Sequence, residues 1–210
     1  MHLHSKFSDG ENSIEEMTQA AIKLRLKQIA FTEHVRRDTK WLDKFVKEIK
    51  KVQKKIPQVK IYSGIEAKVT DLEGNIDAKK SFFKKVDLVL GAFHRIPKGR
   101  RVYLSEEEIL VNKKLALSFW YQAMMKVLGN KNVNIIAHPT AILKRYKIRL
   151  PYWMKAKIAR DAKKENKIFE INKKFKVPDK TFLKILKDQK VNFVDGSDSH
   201  NVGELKQYDG

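Results

Sequence analysis

The stretch VDLVLGAFH, residues 86–94, is an apolar run of strand length that ends on a histidine. Four further segments repeat the arrangement, with a histidine or a carboxylate at the end of an apolar run: AFTEH (30–34), GIE (64–66), IIAH (135–138) and FVDGSDSH (193–200). Amphipathic segments separate them, and two of these open with the S-x-x-E pattern of a helix N-terminus, at Ser13 and Ser105. Short apolar strands that alternate with helices are typical of a parallel sheet covered by helices.

Repeated strand–helix units either close into a barrel or form an open, doubly wound sheet. Ligand-type side chains stand at or just past the carboxyl end of nearly every predicted strand. In a barrel those ends converge on one mouth, whereas the outer strand ends of an open sheet lie far apart. We therefore predict an α/β fold, a distorted (β/α)7 TIM-like barrel, as a single domain over residues 1–210. Within it we expect one long helix from Ser105 to Leu128 and a short helix that carries Phe82 and Phe83.

Composition narrows the class of protein. The chain has 210 residues and 42% hydrophobic content, which suits one globular domain, and it lacks cysteine, which excludes disulfides and thiolate metal ligands. Its apolar runs are too short to cross a membrane, and no apolar leader precedes the first motif. We therefore expect a cytoplasmic protein without a membrane partner.

The net charge of +20 is the other compositional signal. A positive field attracts phosphate-bearing ligands, from small phosphoesters to nucleic acid. Many lysines also fit a plainer interpretation as solvated helix faces, as in KEIKKVQKK at residues 47–55. The charge favours a phosphorylated substrate without identifying it.

All six histidines and three carboxylates occupy the strand-end positions or the start of the chain. We predict these as metal ligands: His2, His4, Asp9, His34, Glu66, His94, His138, Asp198 and His200. Imidazole and carboxylate without thiolate suit Zn, Mn or Fe. The set exceeds the four to six ligands of one ion, so two or three ions that share a carboxylate fit better. Glu66, the only ligand-type carboxylate on a mid-chain strand, is the candidate bridge.

Each residue has an alternative interpretation when it is taken alone. A single histidine is more often a hydrogen-bonded core or surface residue, and Asp9 with Gly10 is equally consistent with a turn. Glu170 and Asn172, in FEIN at residues 169–172, either orient the ligand histidines or pack in the interior. The placement of all six histidines together favours the metal site.

The order of the motifs, H-x-H, S-D-G, T-E-H, G-I-E, a strand-final H, A-H-P and G-S-D-S-H, closely resembles the PHP (polymerase and histidinol phosphatase) family from His2 to His200. The resemblance implies a distorted seven-stranded (β/α) barrel with a trinuclear metal centre that hydrolyses phosphoesters. The stretch around Glu66 is most similar to the branch that contains histidinol phosphatases, stand-alone phosphatases and the PHP domains of bacterial X-family DNA polymerases.

Carried over by position, the resemblance implies three ligand sets, of which the first two share Glu66. The first set is His2, His4, Glu66 and Asp198; the second is Glu66, His94 and His138; the third is Asp9, His34 and His200. Glu66, Asp198 and His200 are then the residues expected to act in catalysis.

Three departures from the family stand out. Some relatives have a histidine where Asp9 stands. The apolar strand that usually precedes H-x-H is nearly absent, and the chain ends ten residues after His200, at Gly210. We therefore expect either a minimal or truncated version of the domain at both ends, or a poorly formed first strand of the barrel.

The predicted activity is hydrolysis of a phosphomonoester, histidinol phosphate or a similar small phosphate, by a hydroxide that bridges two metal ions. For substrate contacts we predict Arg95, next to His94; Lys68, two residues after Glu66; and Arg145, in the segment after A-H-P. Two alternatives remain open at this stage: a nuclease or exonuclease acting on DNA or RNA ends, and a non-catalytic metal-stabilised binding module. The sequence does not predict an oligomeric state.

Overall fold

Eight strands are present in the computed structural model, which describes residues 2–206. In chain order they are β1 (Gln28–Val35), β2 (Lys60–Lys68), β3 (Leu88–Ala92), β4 (Pro97–Gly99), β5 (Val102–Tyr103), β6 (Ile135–Ala137), β7 (Ile168–Asn172) and β8 (Asn192–Gly196). Six of them form one sheet in the order β1-β2-β3-β6-β7-β8, and every neighbouring pair is parallel. The other two, β4 and β5, pair as a separate antiparallel hairpin.

Helices connect the parallel strands. In chain order they are α1 (Ile14–Lys23), α2 (Leu42–Lys55), α3 (Glu106–Val111), α4 (Lys113–Leu128), α5 (Ala141–Arg145), α6 (Tyr152–Lys164), α7 (Lys180–Asp188) and α8 (Val202–Lys206). The predicted capping boxes form at Ser13 and Ser105, each of which accepts a hydrogen bond from the backbone N–H three residues on. No helix within residues 2–206 is both long and apolar enough to span a bilayer.

The six strands curl around a common interior. One cavity of about 340 Å³ is lined by residues from all six of them. The side chains of Leu90, Ala92, Ile135 and Ala137 pack together as a small interior cluster, while a larger core fills the space between sheet and helices. The predicted α/β fold with a curled parallel sheet is therefore present.

The N-terminal segment joins the two edges of this sheet. Leu3 forms parallel bridges to Phe31 of β1 and to Ser199, three residues after β8. The His4 N–H donates to the Ser199 carbonyl at 2.9 Å, and the Leu3 N–H donates to Ala30 at 3.1 Å. Within residues 2–206 the seventh position is a bridged residue and not a full strand, so the count of seven is not confirmed. Met1 and residues 207–210, part of the predicted domain, lie outside the described residues.

Two predicted helices differ from the structure. The helix from Ser105 to Leu128 breaks at Asn112, whose φ of −134° and ψ of 76° are extended. The Asn112 side chain accepts from the Leu115 N–H at 2.9 Å and thereby caps a second helix. The continuous apolar periodicity had predicted a single helix across this position. The segment with Phe82 and Phe83 is a series of turns and not the predicted helix. The Phe82 N–H donates to the Lys79 carbonyl and the Lys85 N–H donates to the Phe82 carbonyl, which is the spacing of successive turns.

Asp179 provides a test of local stability. Its carboxylate accepts from the Phe182 N–H at 2.8 Å, as the cap of α7, and lies 2.7 Å from the Nζ of the buried Lys155. Burial alone would raise the pKa of Asp179, but its bonds to Lys155 and Phe182 hold the pKa below the usual value. The resulting stabilisation is present above about pH 4 and is lost as the pH falls.

We expect Asp179→Ala to lower the free energy of unfolding by about 1–2 kcal/mol at pH 7, since it removes the cap. Asp179→Asn keeps an acceptor and serves as the matched control. Urea unfolding at pH 7 and pH 3 measures both effects. An alanine variant as stable as the wild type at pH 7 would contradict this role of the cap.

Candidate metal centre

The carboxyl ends of the strands bring the predicted ligands together. His34 of β1 is the register partner of Glu66 of β2. His138 directly follows β6, and Asp198 comes two residues after β8. Both have a left-handed backbone, with φ of 29° at His138 and 53° at Asp198. Such strained conformations concentrate at functional sites, where they direct a side chain that regular structure would turn elsewhere.

Glu66 lies at the middle of the site, with only 1% of its surface exposed. Its Oε1 is 2.8 Å from His138 Nε2 and 3.2 Å from His94 Nε2. Its Oε2 is 2.8 Å from His34 Nδ1 and 3.5 Å from His2 Nε2. A single carboxylate with ring nitrogens on both oxygens has the geometry of a bridging ligand.

Asp198 and His4 extend this group on one side. His4 Nε2 lies 3.2 Å from Asp198 Oδ1 and 3.7 Å from Glu66 Oε2. His2 Nε2 lies 2.9 Å from His4 Nε2, so the i, i+2 pair faces one point as its spacing predicts.

Asp9 lies beside a further group of histidines on the solvent-exposed side of the site. Its Oδ2 is 3.4 Å from His34 Nε2, and its Oδ1 is 3.6 Å from His200 Nε2 and 3.8 Å from His4 Nδ1. Asp9 is the most exposed of the set, with 54% of its side chain accessible. All six histidines and three carboxylates that the sequence singled out thus lie within one connected cluster.

Three groups inside this cluster have ligand atoms within 4.8 Å of one another. They are His4, Asp9, His34 and His200; His2, His4 and Glu66; and His34, Glu66 and His94. These groups overlap with the three sets implied by the resemblance. They differ from those sets in that His4 and His34 each belong to two of the groups found in the structure.

The donor set fits divalent cations. Three buried atoms of the cluster, His4 Nδ1, Glu66 Oε2 and His138 Nδ1, have no hydrogen-bond partner. Glu66 Oε2 is close to His34 but not in hydrogen-bond geometry. Buried polar atoms normally find partners, and a bound ion supplies one to a carboxylate oxygen or a ring nitrogen. Nitrogen and oxygen donors without sulfur suit Zn, Mn and Fe.

The electrostatics keep two of the carboxylates, those of Glu66 and Asp198, charged. Burial opposes ionisation of Glu66, yet the charges of His94 and His2 and the hydrogen bond from His138 hold its pKa well below the ordinary value. The pKa of Asp198 is likewise lowered, because the hydrogen bond from His4 and the charge of His2 outweigh burial. Burial lowers the pKa of His4 to about 4, so at neutral pH this ring is in the uncharged form that coordinates metal.

Glu170 of β7 orients two of the histidines. Its Oε1 accepts from His2 Nδ1 at 2.9 Å, and its Oε2 accepts a short hydrogen bond from the His138 backbone N–H. The first bond directs His2 Nε2 toward Glu66. Of the two interpretations left open by the sequence, orientation of the ligand histidines is the one these contacts favour for Glu170.

Glu33 has a comparable supporting role that sequence reasoning missed. It is buried, and its Oε1 accepts from the Ser5 N–H at 3.0 Å and from Ser5 Oγ at 2.5 Å, while Ser8 Oγ donates to Oε2 at 2.5 Å. These bonds hold the loop between His4 and Asp9. The sequence did contain a signal for Glu33, a carboxylate directly before His34 in an apolar strand. Because successive side chains of a strand point to opposite faces, Glu33 points away from the face that carries His34.

Gly196 fits closely against Glu170. A Cβ on Gly196 would lie 1.6 Å from Glu170 Oε1 and 2.4 Å from its Cδ. We expect Gly196→Ala to destabilise the protein by about 1–3 kcal/mol, because the anchored carboxylate cannot move aside. Gly129→Ala is the control, since its nearest contact is Lys126 O at 3.5 Å. Equal urea midpoints for the two variants would show that Glu170 is free to move.

The three predicted substrate contacts lie in different surroundings. Lys68 lines a cavity of about 460 Å³ together with Asp9, His34, Glu66 and His94. Arg95 lies over the ring of Tyr103. Arg145 is exposed on α5, with its guanidinium 5.6 Å from the Tyr146 ring, and makes no hydrogen bond or ion pair with a predicted ligand among residues 2–206.

A curled parallel sheet with histidines and carboxylates gathered at its carboxyl ends defines a class of α/β proteins suited to binding divalent metal ions. The chain belongs to the PHP domain family, whose model matches residues 1–174. The predicted family is thereby confirmed.

Relatives of known name cover nearly the whole chain. It is 27% identical to the DNA polymerase/3'-5' exonuclease PolX of Bacillus subtilis over 98% of its own length, but it spans only 34% of that relative. It is also 27% identical to a probable phosphatase of Acetivibrio thermocellus, over 99% of this chain and 81% of the relative. These relatives agree with the predicted enzyme class, hydrolases acting on phosphoric ester bonds.

Solved structures share the fold. The putative histidinol phosphatase hisK of Listeria monocytogenes superposes with a TM-score of 0.77 at 16% identity, over 99% of this chain and 97% of that one. The histidinol phosphate phosphatase of Lactococcus lactis, solved with zinc, L-histidinol and phosphate, gives 0.69 at 21% identity, over 98% and 90%. At these identities the likeness concerns the fold.

Proposed function

We propose that this protein is a metal-dependent phosphoesterase that hydrolyses a small phosphomonoester at a site for three divalent ions. The observation that carries the proposal is the buried Glu66 carboxylate, with histidine nitrogens around both oxygens and one oxygen without a hydrogen-bond partner. Membership of the PHP domain family and the probable phosphatases among its relatives support the same activity.

We assign the ligands to three sets by the positions of their motifs. His2, His4, Glu66 and Asp198 hold one ion; Glu66, His94 and His138 hold a second; Asp9, His34 and His200 hold the third. The short contacts within each set support this division. His4 and His34 lie between two sets, so they are also placed to link neighbouring ions.

When bound, the ions supply a Lewis acid for the phosphate oxygens and lower the pKa of water toward neutrality. Glu66 would offer one oxygen to each of two ions, because histidine nitrogens lie beside both of its oxygens. Asp198 would complete the first ligand set and His200 the third, and both residues are proposed to act in catalysis. Lys68 and Arg95 attract the anionic substrate to the mouth, and Arg145 contributes to the outer field.

The extent of the domain is also a proposal. We propose that residues 1–210 form one domain, a seven-stranded barrel in which the segment around Leu3 takes the place of the remaining strand. Its bridges to β1 and to Ser199, three residues after β8, and the core that extends from Leu3 to Leu205 support this description.

A substrate panel tests the activity. Protein stripped with a chelator and then supplied with Zn or Mn is assayed against histidinol phosphate, a generic aryl phosphate and end-labelled single-stranded DNA. We expect metal-dependent phosphate release from a small ester. The Lactococcus lactis structure, with L-histidinol and phosphate, makes histidinol phosphate the first substrate to try. Shortening of the DNA without release from any small ester would favour the exonuclease alternative, and activity that survives metal removal would contradict both.

A further inference from the structure

We infer that the substrate carries a second anionic group, a carboxylate or a second phosphate, which Lys68 and Arg95 bind against the ring of Tyr103. This inference rests on the proposed function and narrows its substrate class. It assigns Tyr103, outside every motif of the sequence, as a positioning residue for specificity.

Two cations share one aromatic ring at the mouth of the site. Lys68 Nζ lies 4.6 Å from the centroid of the Tyr103 ring, and the Arg95 guanidinium carbon lies 5.1 Å from it. Tyr103 belongs to the β4–β5 hairpin, where it pairs with Pro97. The ring therefore holds in place two long side chains that would otherwise be free to move.

No carboxylate within residues 2–206 pairs directly with these two cations, although the charge of Asp77 acts on Lys68. Within residues 2–206 neither Lys68 nor Arg95 forms an ion pair or a side-chain hydrogen bond. The nearby acid, Asp77, is engaged: it pairs with Arg101 and accepts from the Arg37 N–H at 3.3 Å. Like charges held side by side repel each other, so an anion bound between them relieves an existing cost.

The pair stands beside the metal ligands and not among them. Lys68 follows Glu66 by two residues on β2, so both side chains point to the same side. Lys68 lines the same cavity as His34 and His94. It does not pair with Glu66, whose ion pairs within residues 2–206 are all with histidines. A phosphate at the metal ligands and an anionic group at Tyr103 thus fit the two ends of one small molecule.

The inference separates substrates by the charge of the leaving group. A phosphomonoester whose alcohol carries a carboxylate or a phosphate gains contacts with both cations. Histidinol carries an ammonium group, which the same pair repels. Anionic phosphomonoesters are therefore expected to be better substrates than histidinol phosphate.

Binding of matched phosphonates tests this without turnover. Calorimetry on the zinc-supplied protein compares benzylphosphonate with its 4-carboxy, 4-phosphonomethyl and 4-aminomethyl derivatives. We expect the 4-carboxy and 4-phosphonomethyl analogues, which carry a second anionic group, to bind about tenfold more tightly than benzylphosphonate, and the ammonium analogue to bind more weakly. The carboxy and phosphonomethyl arms show which anion the pair prefers.

Tyr103 variants connect the selectivity to the ring. Tyr103→Leu should bring the affinity ratio between charged and neutral analogues close to one, while Tyr103→Phe, which keeps the aromatic face, should preserve it. A merely structural role would change all affinities together and leave their ratio intact.

Three results would overturn the inference: equal affinity for all four analogues, the same affinity ratio in Tyr103→Leu as in the wild type, or no detectable binding of any of the analogues. Phosphate release from the corresponding phosphate esters is measured separately. Selective binding without release would reject the proposed function and leave the anion site standing.

Discussion

Glu66→Gln is expected to lower metal-dependent phosphate release by more than about 100-fold, the upper range seen when a supporting residue of a metal site is lost. The substitution keeps the size of the side chain and removes its charge. Glutamine offers one oxygen, so it cannot serve the nitrogens of His138 and His34 on opposite sides. The five histidines around this position would then have no shared anion.

Glu73→Gln is the matched control for this variant. Glu73 is exposed and pairs only loosely with Lys126, at 3.4 Å, far from any predicted ligand in the structure. It should retain full activity. Steady-state kinetics at saturating metal give the comparison, and a Glu66→Gln enzyme with more than half of the wild-type kcat/KM would remove Glu66 from the centre of the site.

Glu170→Gln is expected to weaken zinc binding by about 10–100-fold. Glu170 accepts from His2 Nδ1, which fixes the ring and leaves Nε2 for the metal, and it accepts from the His138 backbone. The amide that replaces the carboxylate donates from one end, so it cannot accept both of these bonds. Burial of the site prevents water from replacing the lost acceptor.

Competition with a chromogenic chelator measures this affinity, and the Glu73→Gln variant again serves as control. Circular dichroism spectra confirm that the fold persists in each variant. An unchanged zinc affinity in Glu170→Gln would mean that Glu170 only packs in the interior, the other interpretation that the sequence left open.

The ligand cluster was predictable because its signal is local. His94 and His138 each end an apolar run, and parallel strands that end alike bring such residues to one edge. The capping boxes at Ser13 and Ser105 were predictable for the same reason, since three residues suffice to define them.

Features that depend on tertiary contacts were not predictable. The hairpin around Tyr103 has strands of two and three residues, too short to show a period. The break at Asn112 interrupts a helical pattern without changing its apolar spacing. Glu33 was not predicted, because its neighbour His34 accounted for the T-E-H motif as a metal ligand. Arg145 was assigned by its closeness to the A-H-P motif; it is exposed on the short helix α5, and its contact with substrate stays a prediction.

Metal content is the most direct measure of the central claim, that Glu66 is shared between ions. Wild-type and Glu66→Gln proteins are incubated with Zn or Mn, desalted, and analysed by inductively coupled plasma mass spectrometry. The wild type should retain more than one ion per chain, three at saturation, and the variant should retain fewer. A wild-type chain that retains one ion or none, or a variant with the same content, would contradict the account.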